Sequence, residues 1–247
     1  MFRGTIRQRV LLTYRVDEAW LQQQLPPGFA PSIVDGAALA GICVLRWQGL
    51  GPAVLPGRVG LRVDGVAERW FAHRVGHAHQ PGVVIPRRWM GSRGAAVMTR
   101  TTFGGEAVRS ALAFNRHGED LRVRTTDRDL LDLTVRPAAA HLATARFGGD
   151  ATAIASIHAT ATRGWSVCRN ASVAATDLHP DVPWAPGPAQ VVTGSQRILP
   201  GDAEPDHVIV MEDVPARLVA VREALDPNRL AAVADRDVRT EEEAAHV

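Results

Sequence analysis

Short alternating runs of apolar and polar residues, separated by glycine, proline and Asp/Asn-rich turns, dominate this chain and restrict it to a small set of folds. From Glu106 the pattern is a meander: Val108–Asn115, Leu121–Thr126 and Leu130–Arg136 alternate around turns at His117-Gly118 and Asp127-Arg128. Earlier in the chain, Arg9 to Val16, Ala37 to Trp47, Val66 to Val75 and Gly82 to Ile85 read as strands. Later, Gln190–Leu199, His207–Met211 and Arg217–Arg222 do the same, while Trp165 to Thr176 is ambiguous. Ile33 to Gly36 reads as a turn, and Gly49 to Gly60 and Asp181 to Pro188 as Pro/Gly-rich loops. Helical signals are few. Asp17 is a capping residue for a brief helix that Pro26-Pro27-Gly28 stops. Ser92 can cap a second helix near Ala95–Thr101, and Ala151–Thr160 is a further candidate. The expected fold is α+β and mostly antiparallel: one barrel or sandwich curled around an internal pocket. Residues 1–226 are expected to form a single domain, and 227–247 an Ala- and charge-rich tail, helical or disordered.

Composition narrows the chemistry. All 28 basic residues are arginine; lysine does not occur. Imine formation and pyridoxal-phosphate anchoring need a side-chain amine, and arginine stays protonated at any pH an enzyme meets. The 28 arginines face 26 carboxylates, interleaved along the chain, so no basic arm for nucleic acid is present. The pI near 8.9 leaves anionic small molecules open as partners. No apolar run is long enough for a membrane helix, and the N-terminal run is too short for a signal h-region. Cys43 and Cys168 lie far apart in sequence and suggest no disulfide framework. A cytoplasmic protein is expected, and a homo-oligomer is left open.

Two neighbouring segments carry most of the possible chemistry. In Gly82-Val83-Val84-Ile85-Pro86-Arg87-Arg88-Trp89-Met90 a strand runs into proline and two adjacent arginines. If strand geometry continues, Arg87 and Arg88 face opposite sides, and one can enter the interior as an anion receptor. The competing reading is a pair of surface arginines. In Val66–Val75, alternation puts Glu68, Trp70, Ala72 and Arg74 on one face and Arg69, Phe71, His73 and Val75 on the other. Each face mixes charge with aromatic bulk, unlike a strand with a plain solvent side. A carboxyl or imidazole held in an apolar interior could serve as acid or base. His73, His77 and His79 could bind zinc, but they span a strand end and a polar turn, and no metal is expected. Cys168 beside Arg169 could be a reactive thiol, but a small core cysteine fits better, and Cys43 between Ile42 and Val44 reads as core. Gly104-Gly105 and Gly148-Gly149 lack the strand-to-helix context of a phosphate loop.

The entry Val16-Asp17-Glu18-Ala19-Trp20-Leu21 through Leu25-Pro26-Pro27-Gly28 resembles that of the acetoacetate decarboxylase-like superfamily, in its YqjF-like branch, a domain family of unknown function. So do Asp35-Gly36, the Glu68 strand and the late Val210-Met211-Glu212-Asp213-Val214-Pro215. The resemblance covers most of residues 5–222 and implies a barrel or cone around a pocket. Decarboxylases of this superfamily carry a Pro-Lys-Lys step, whose first lysine forms the Schiff base. The similar step here is Pro86-Arg87-Arg88, and Glu68 resembles the acidic residue facing the decarboxylase cavity. The imine mechanism is therefore closed to this chain.

The expected function is a small-molecule enzyme acting on a carboxylate- or carbonyl-bearing metabolite without Schiff-base chemistry. Decarboxylation, dehydration, aldol cleavage and cyclisation all suit such a pocket. Arg87 or Arg88 would hold the anion, Trp70 and Trp89 are further substrate-binding candidates, and Glu68 or His73 would move the proton. No cofactor is expected. The alternative is a non-catalytic binding protein for an organic anion.

Overall fold

The computed structural model of the protein describes residues 1–54, 60–77, 80–138, 162–168, 173–183, 187–200 and 205–225. In chain order the elements are β1 (Phe2–Val16), α1 (Glu18–Gln24), β2 (Phe29–Pro31), β3 (Ile33–Val34), β4 (Ala37–Pro52), β5 (Leu61–Arg74), β6 (Gly82–Ile85), β7 (Arg87–Met90), α2 (Arg93–Phe103), β8 (Glu106–Arg109), β9 (Leu112–His117), β10 (Asp120–Thr125), β11 (Leu131–Pro137), β12 (Arg163–Val167), β13 (Val173–Pro180), β14 (Gly187–Gln196) and β15 (His207–Leu225). The expected candidate helix at Ala151–Thr160 and the tail 227–247 lie outside the described residues.

Seven strands close on themselves in the order β1-β4-β5-β6-β12-β13-β15, with β15 pairing back to β1. All of these pairings are antiparallel except β6 with β12, so the barrel is mixed. The sheet continues from β15 through β14, β11, β10 and β9. That extension packs on the outside of the barrel: Leu121, Val123, Leu131, Leu133 and Val135 share one apolar cluster with Val10, Leu12, Ile42, Val44 and Val66. The central barrel strands are therefore buried on both faces. This explains why their sequences lack a clean polar side.

Local chemistry sets the ends of both helices. Asp17 accepts a 2.7 Å hydrogen bond from the Trp20 amide, and Ser92 accepts one of 3.1 Å from Ala95. Each satisfies a backbone N–H that the first turn leaves without a partner. Asp35 and Gly36 both take positive φ, as a two-residue hairpin joining β3 to β4 requires. Two expectations change in detail. The run Val108–Asn115 is divided into β8 and β9, because Ser110 and Ala111 bind back to Asp127. The runs at 207–211 and 217–222 belong to the single strand β15, which absorbs Asp213 at φ 56 and Pro215 without breaking. Helix α2 packs against β7, β8 and β13 and turns Ala95, Ala96, Thr99 and Phe103 inward.

A cavity enclosed by guanidinium groups

The barrel ladders fix which side chains share the interior. Across β1, β4, β5 and β7 the paired residues form rows. One row runs Arg9, Leu45, Gly65, Met90; the next runs Leu11, Cys43, Ala67, Arg88; the third runs Thr13, Gly41, Arg69. Residues two apart on a strand share a face, so these rows lie side by side on one surface. That surface is concave and lines a cavity of about 160 Å³. Met98, Thr99 and Phe103 of α2 and Thr176 and Leu178 of β13 complete its wall.

Three arginines, Arg9, Arg69 and Arg88, line this cavity; no carboxylate and no imidazole does so among the described residues. Elsewhere arginines find acids: Arg122 with Asp132, Arg136 with Asp120 and Arg163 with Asp177 form two-point hydrogen-bonded pairs across strands. Arg69 is only 4% exposed, and its guanidinium carbon lies 5.2 Å from the centre of the Phe71 ring. Burial lowers its pKa to about 10, with Arg9 pushing the same way and Cys43 opposing. Arg88 is likewise brought to about 10 by burial, opposed by Cys43 and Cys168. Both remain cations near neutral pH. Arg88 donates from Nη2 to Ser166 Oγ at 2.8 Å, while its buried Nη1 has no hydrogen-bond partner among the described residues. The Thr176 hydroxyl on the cavity wall is buried and also lacks one. Gly105, at φ 78, lets the chain pass close by: a Cβ there would stand 3.3 Å from Arg88 Nη1 and 2.7 Å from Ser166 Cβ. A buried cation without a counter-charge is costly unless an anion joins it. The rest of the described wall is largely apolar.

The other residues singled out by sequence lie elsewhere. Glu68 points to the outer face of β5, where the Trp70 indole donates a 3.0 Å hydrogen bond to its Oε1. Burial raises its pKa to about 6, opposed by that bond and by Arg87. Arg87 is half-exposed, pairs with Glu106 at 3.1 Å and lies over the Trp89 ring. Trp70 and Trp89 are buried in the apolar layer between the barrel and the outer sheet. His73 is half-buried near the end of β5, where Nδ1 shares a 3.4 Å hydrogen bond with Ser32 Oγ and burial lowers its pKa. Neither Glu68 nor His73 lines the cavity. His79 lies outside the described residues, and among the described residues no cluster of three metal-ligating side chains occurs. Sequence reasoning passed over Arg69 and Cys43. The small residues Gly65 and Ala67, four and two positions before Arg69, were the available signal of a concave face.

A family model described as "Uncharacterized conserved protein (COG2071)", DUF2071, matches residues 3–202. The chain belongs to this family. No curated protein matches it. Among solved structures, an acetoacetate decarboxylase from Legionella pneumophila is similar at 12% identity, with 89% of this chain and 87% of that chain covered and a TM-score of 0.56. The enduracididine biosynthesis enzyme MppR complexed with pyruvate is similar at 16% identity, covering 89% and 85%, with a TM-score of 0.53. A second acetoacetate decarboxylase structure covers 91% of both chains at 9% identity and a TM-score of 0.53. The DUF2071 chain thus has the acetoacetate decarboxylase-like fold. No helix among its described residues is long and apolar enough to cross a membrane.

Proposed function

We propose that the barrel interior binds a short carboxylate, or a carbonyl compound bearing one, through Arg69 and Arg88, and acts on it by lyase-type chemistry without an imine. The observation that carries this reading is the grouping of guanidiniums in a cavity whose described lining contains no acid. Guanidinium grips carboxylate in a planar, two-point fashion, and more strongly where water is excluded. Cavities near 150 Å³ hold molecules about the size of benzene, so a ligand of roughly six to eight non-hydrogen atoms suits the space of about 160 Å³. The same cations would stabilise negative charge as it develops on an enolate oxygen. That the similar folds include an acetoacetate decarboxylase and a pyruvate complex supports the same ligand class.

One observation favours a second reading, a non-catalytic organic-anion binding protein. The described cavity wall offers no carboxyl or imidazole to carry a proton. The two readings separate in one experiment. Pyruvate, acetoacetate and oxaloacetate are added to the protein, melting is followed, and the solution is monitored by proton NMR. Stabilisation with consumption of a keto acid supports the enzyme. Stabilisation with every acid intact supports the binding protein. No stabilisation by any carboxylate would remove both.

A further inference from the structure

The cavity contains one thiol, and its position is set by the strand register. Cys43 on β4 is paired with Ala67 on β5, and Ala67 with Arg88 on β7. The three form one row on the inner face. Strands lie about 4.8 Å apart, so the Cys43 and Arg88 Cα atoms are about 10 Å apart with only the Ala67 methyl between their side chains. In the next row Gly41 is paired with Arg69. Gly41 contributes no side chain, and a Cβ there would strike the Leu12 carbonyl oxygen at 2.6 Å. Arg69 is thereby the diagonal neighbour of Cys43, at a separation on the order of 7–8 Å between Cα atoms. The remaining hydroxyl-bearing lining residues are Thr99, Thr162 and Thr176, far weaker nucleophiles than a thiol.

We propose that Cys43 is the nucleophile of the barrel cavity, and that it takes short carboxylates whose α- or β-carbon is electrophilic. The inference rests on the anion-binding reading above and adds the atom that reacts. A carboxylate held by Arg69 and Arg88 has its neighbouring carbons confined beside Sγ, which turns a bimolecular attack into a local one. With a carbonyl carbon, the sulfur forms the C–S bond and the π pair moves to oxygen. The thiol proton ends on that oxygen, giving a thiohemiacetal or thiohemiketal with no other reactant. With iodoacetate, the C–S bond forms, the C–I bond breaks, iodide leaves and the thiol proton passes to solvent.

Iodoacetate and neutral iodoacetamide are the probes. The intact chain is treated with each, and alkylation at Cys43 and Cys168 is followed by peptide mass mapping, with N-acetylcysteine as the free-thiol reference. The expected result is a rate preference for iodoacetate over iodoacetamide at Cys43 at least about ten-fold above that of the reference, as charge-assisted binding of the carboxylate would give. Acetoacetate slows the reaction, and R69M and R88M each abolish the preference. Cys43 left unmodified by iodoacetate, or modified with the reference's selectivity, overturns the inference. The melting temperature of C43A with and without acetoacetate separates the two claims. If acetoacetate stabilises wild type and C43A alike while Cys43 resists iodoacetate, the nucleophile falls and the anion site stands. If acetoacetate stabilises neither protein, the anion site falls with it.

Discussion

Arg88 is anchored to Ser166 on the neighbouring wall by a 2.8 Å hydrogen bond, and the other terminal nitrogen of its guanidinium is buried with no partner among the described residues. The anion-binding reading gives that nitrogen a ligand to bind. Replacing Arg88 with methionine should therefore leave the folded state at least as stable, with a gain on the order of 1 kcal/mol, because a partly buried guanidinium with an unpartnered nitrogen is removed. Chemical denaturation of R88M checks this. A loss of several kcal/mol would mean that Arg88 serves the fold and not a ligand.

Glu68 gives a pH signature of its own. Its folded-state pKa of about 6 lies above the ordinary 4.5, so the folded protein holds this proton more tightly than the unfolded chain. The stabilisation is complete below pH 4.5 and is lost as pH rises through about 6. E68Q keeps an oxygen for the Trp70 indole and removes the buried charge. It should be more stable than wild type above pH 6 by about 1–2 kcal/mol and indistinguishable from it near pH 4. Equal effects at both pH values would contradict the burial of this carboxyl.

His207, buried where β15 pairs with β1, has the opposite sign. Burial lowers its pKa to about 4, so its contribution is present above the ordinary 6.5 and disappears as pH falls through about 4. H207Q should flatten the acid side of the stability curve between pH 6.5 and 4, an effect on the order of 2–3 kcal/mol. Denaturant midpoints for both proteins at pH 7 and pH 4.5 measure it. An unchanged acid slope in H207Q would assign the loss to other groups.

The second helix links local chemistry to the cavity. S92A removes the acceptor for the Ala95 amide and should cost about 1 kcal/mol. Because α2 supplies Met98, Thr99 and Phe103 to the cavity wall, ligand affinity should fall with stability. Affinity unchanged alongside a lowered midpoint would show that α2 does not shape the bound state.

What the sequence revealed follows from how local each signal is. Asp17 and Ser92 were legible as caps because a cap is an interaction over three residues. The barrel was legible from strand density; alternation after Pro86 allowed one of Arg87 and Arg88 to face inward without deciding which. The inner face of β5 was not legible. Both of its faces are buried, one by the cavity wall and one by the outer sheet, so Glu68 and Arg69 looked equally interior. Only the register, which sets Arg69 opposite Gly41 and Ala67 opposite Cys43, decides between them, and register is a long-range property. The division of Val66–Val75 into two mixed faces was correct, but the carboxyl drew attention to the wall that faces away from the cavity.

The central claim is that Arg69 and Arg88 together hold a carboxylate inside the barrel. Calorimetric titration of acetoacetate into wild type, R69M, R88M and R87M tests it most directly. Wild type should bind, and so should R87M, whose arginine sits outside the cavity against Glu106, while R69M and R88M should each lose at least about ten-fold in affinity, ~1.4 kcal/mol. Binding that survives both cavity substitutions, or that R87M alone removes, would contradict it.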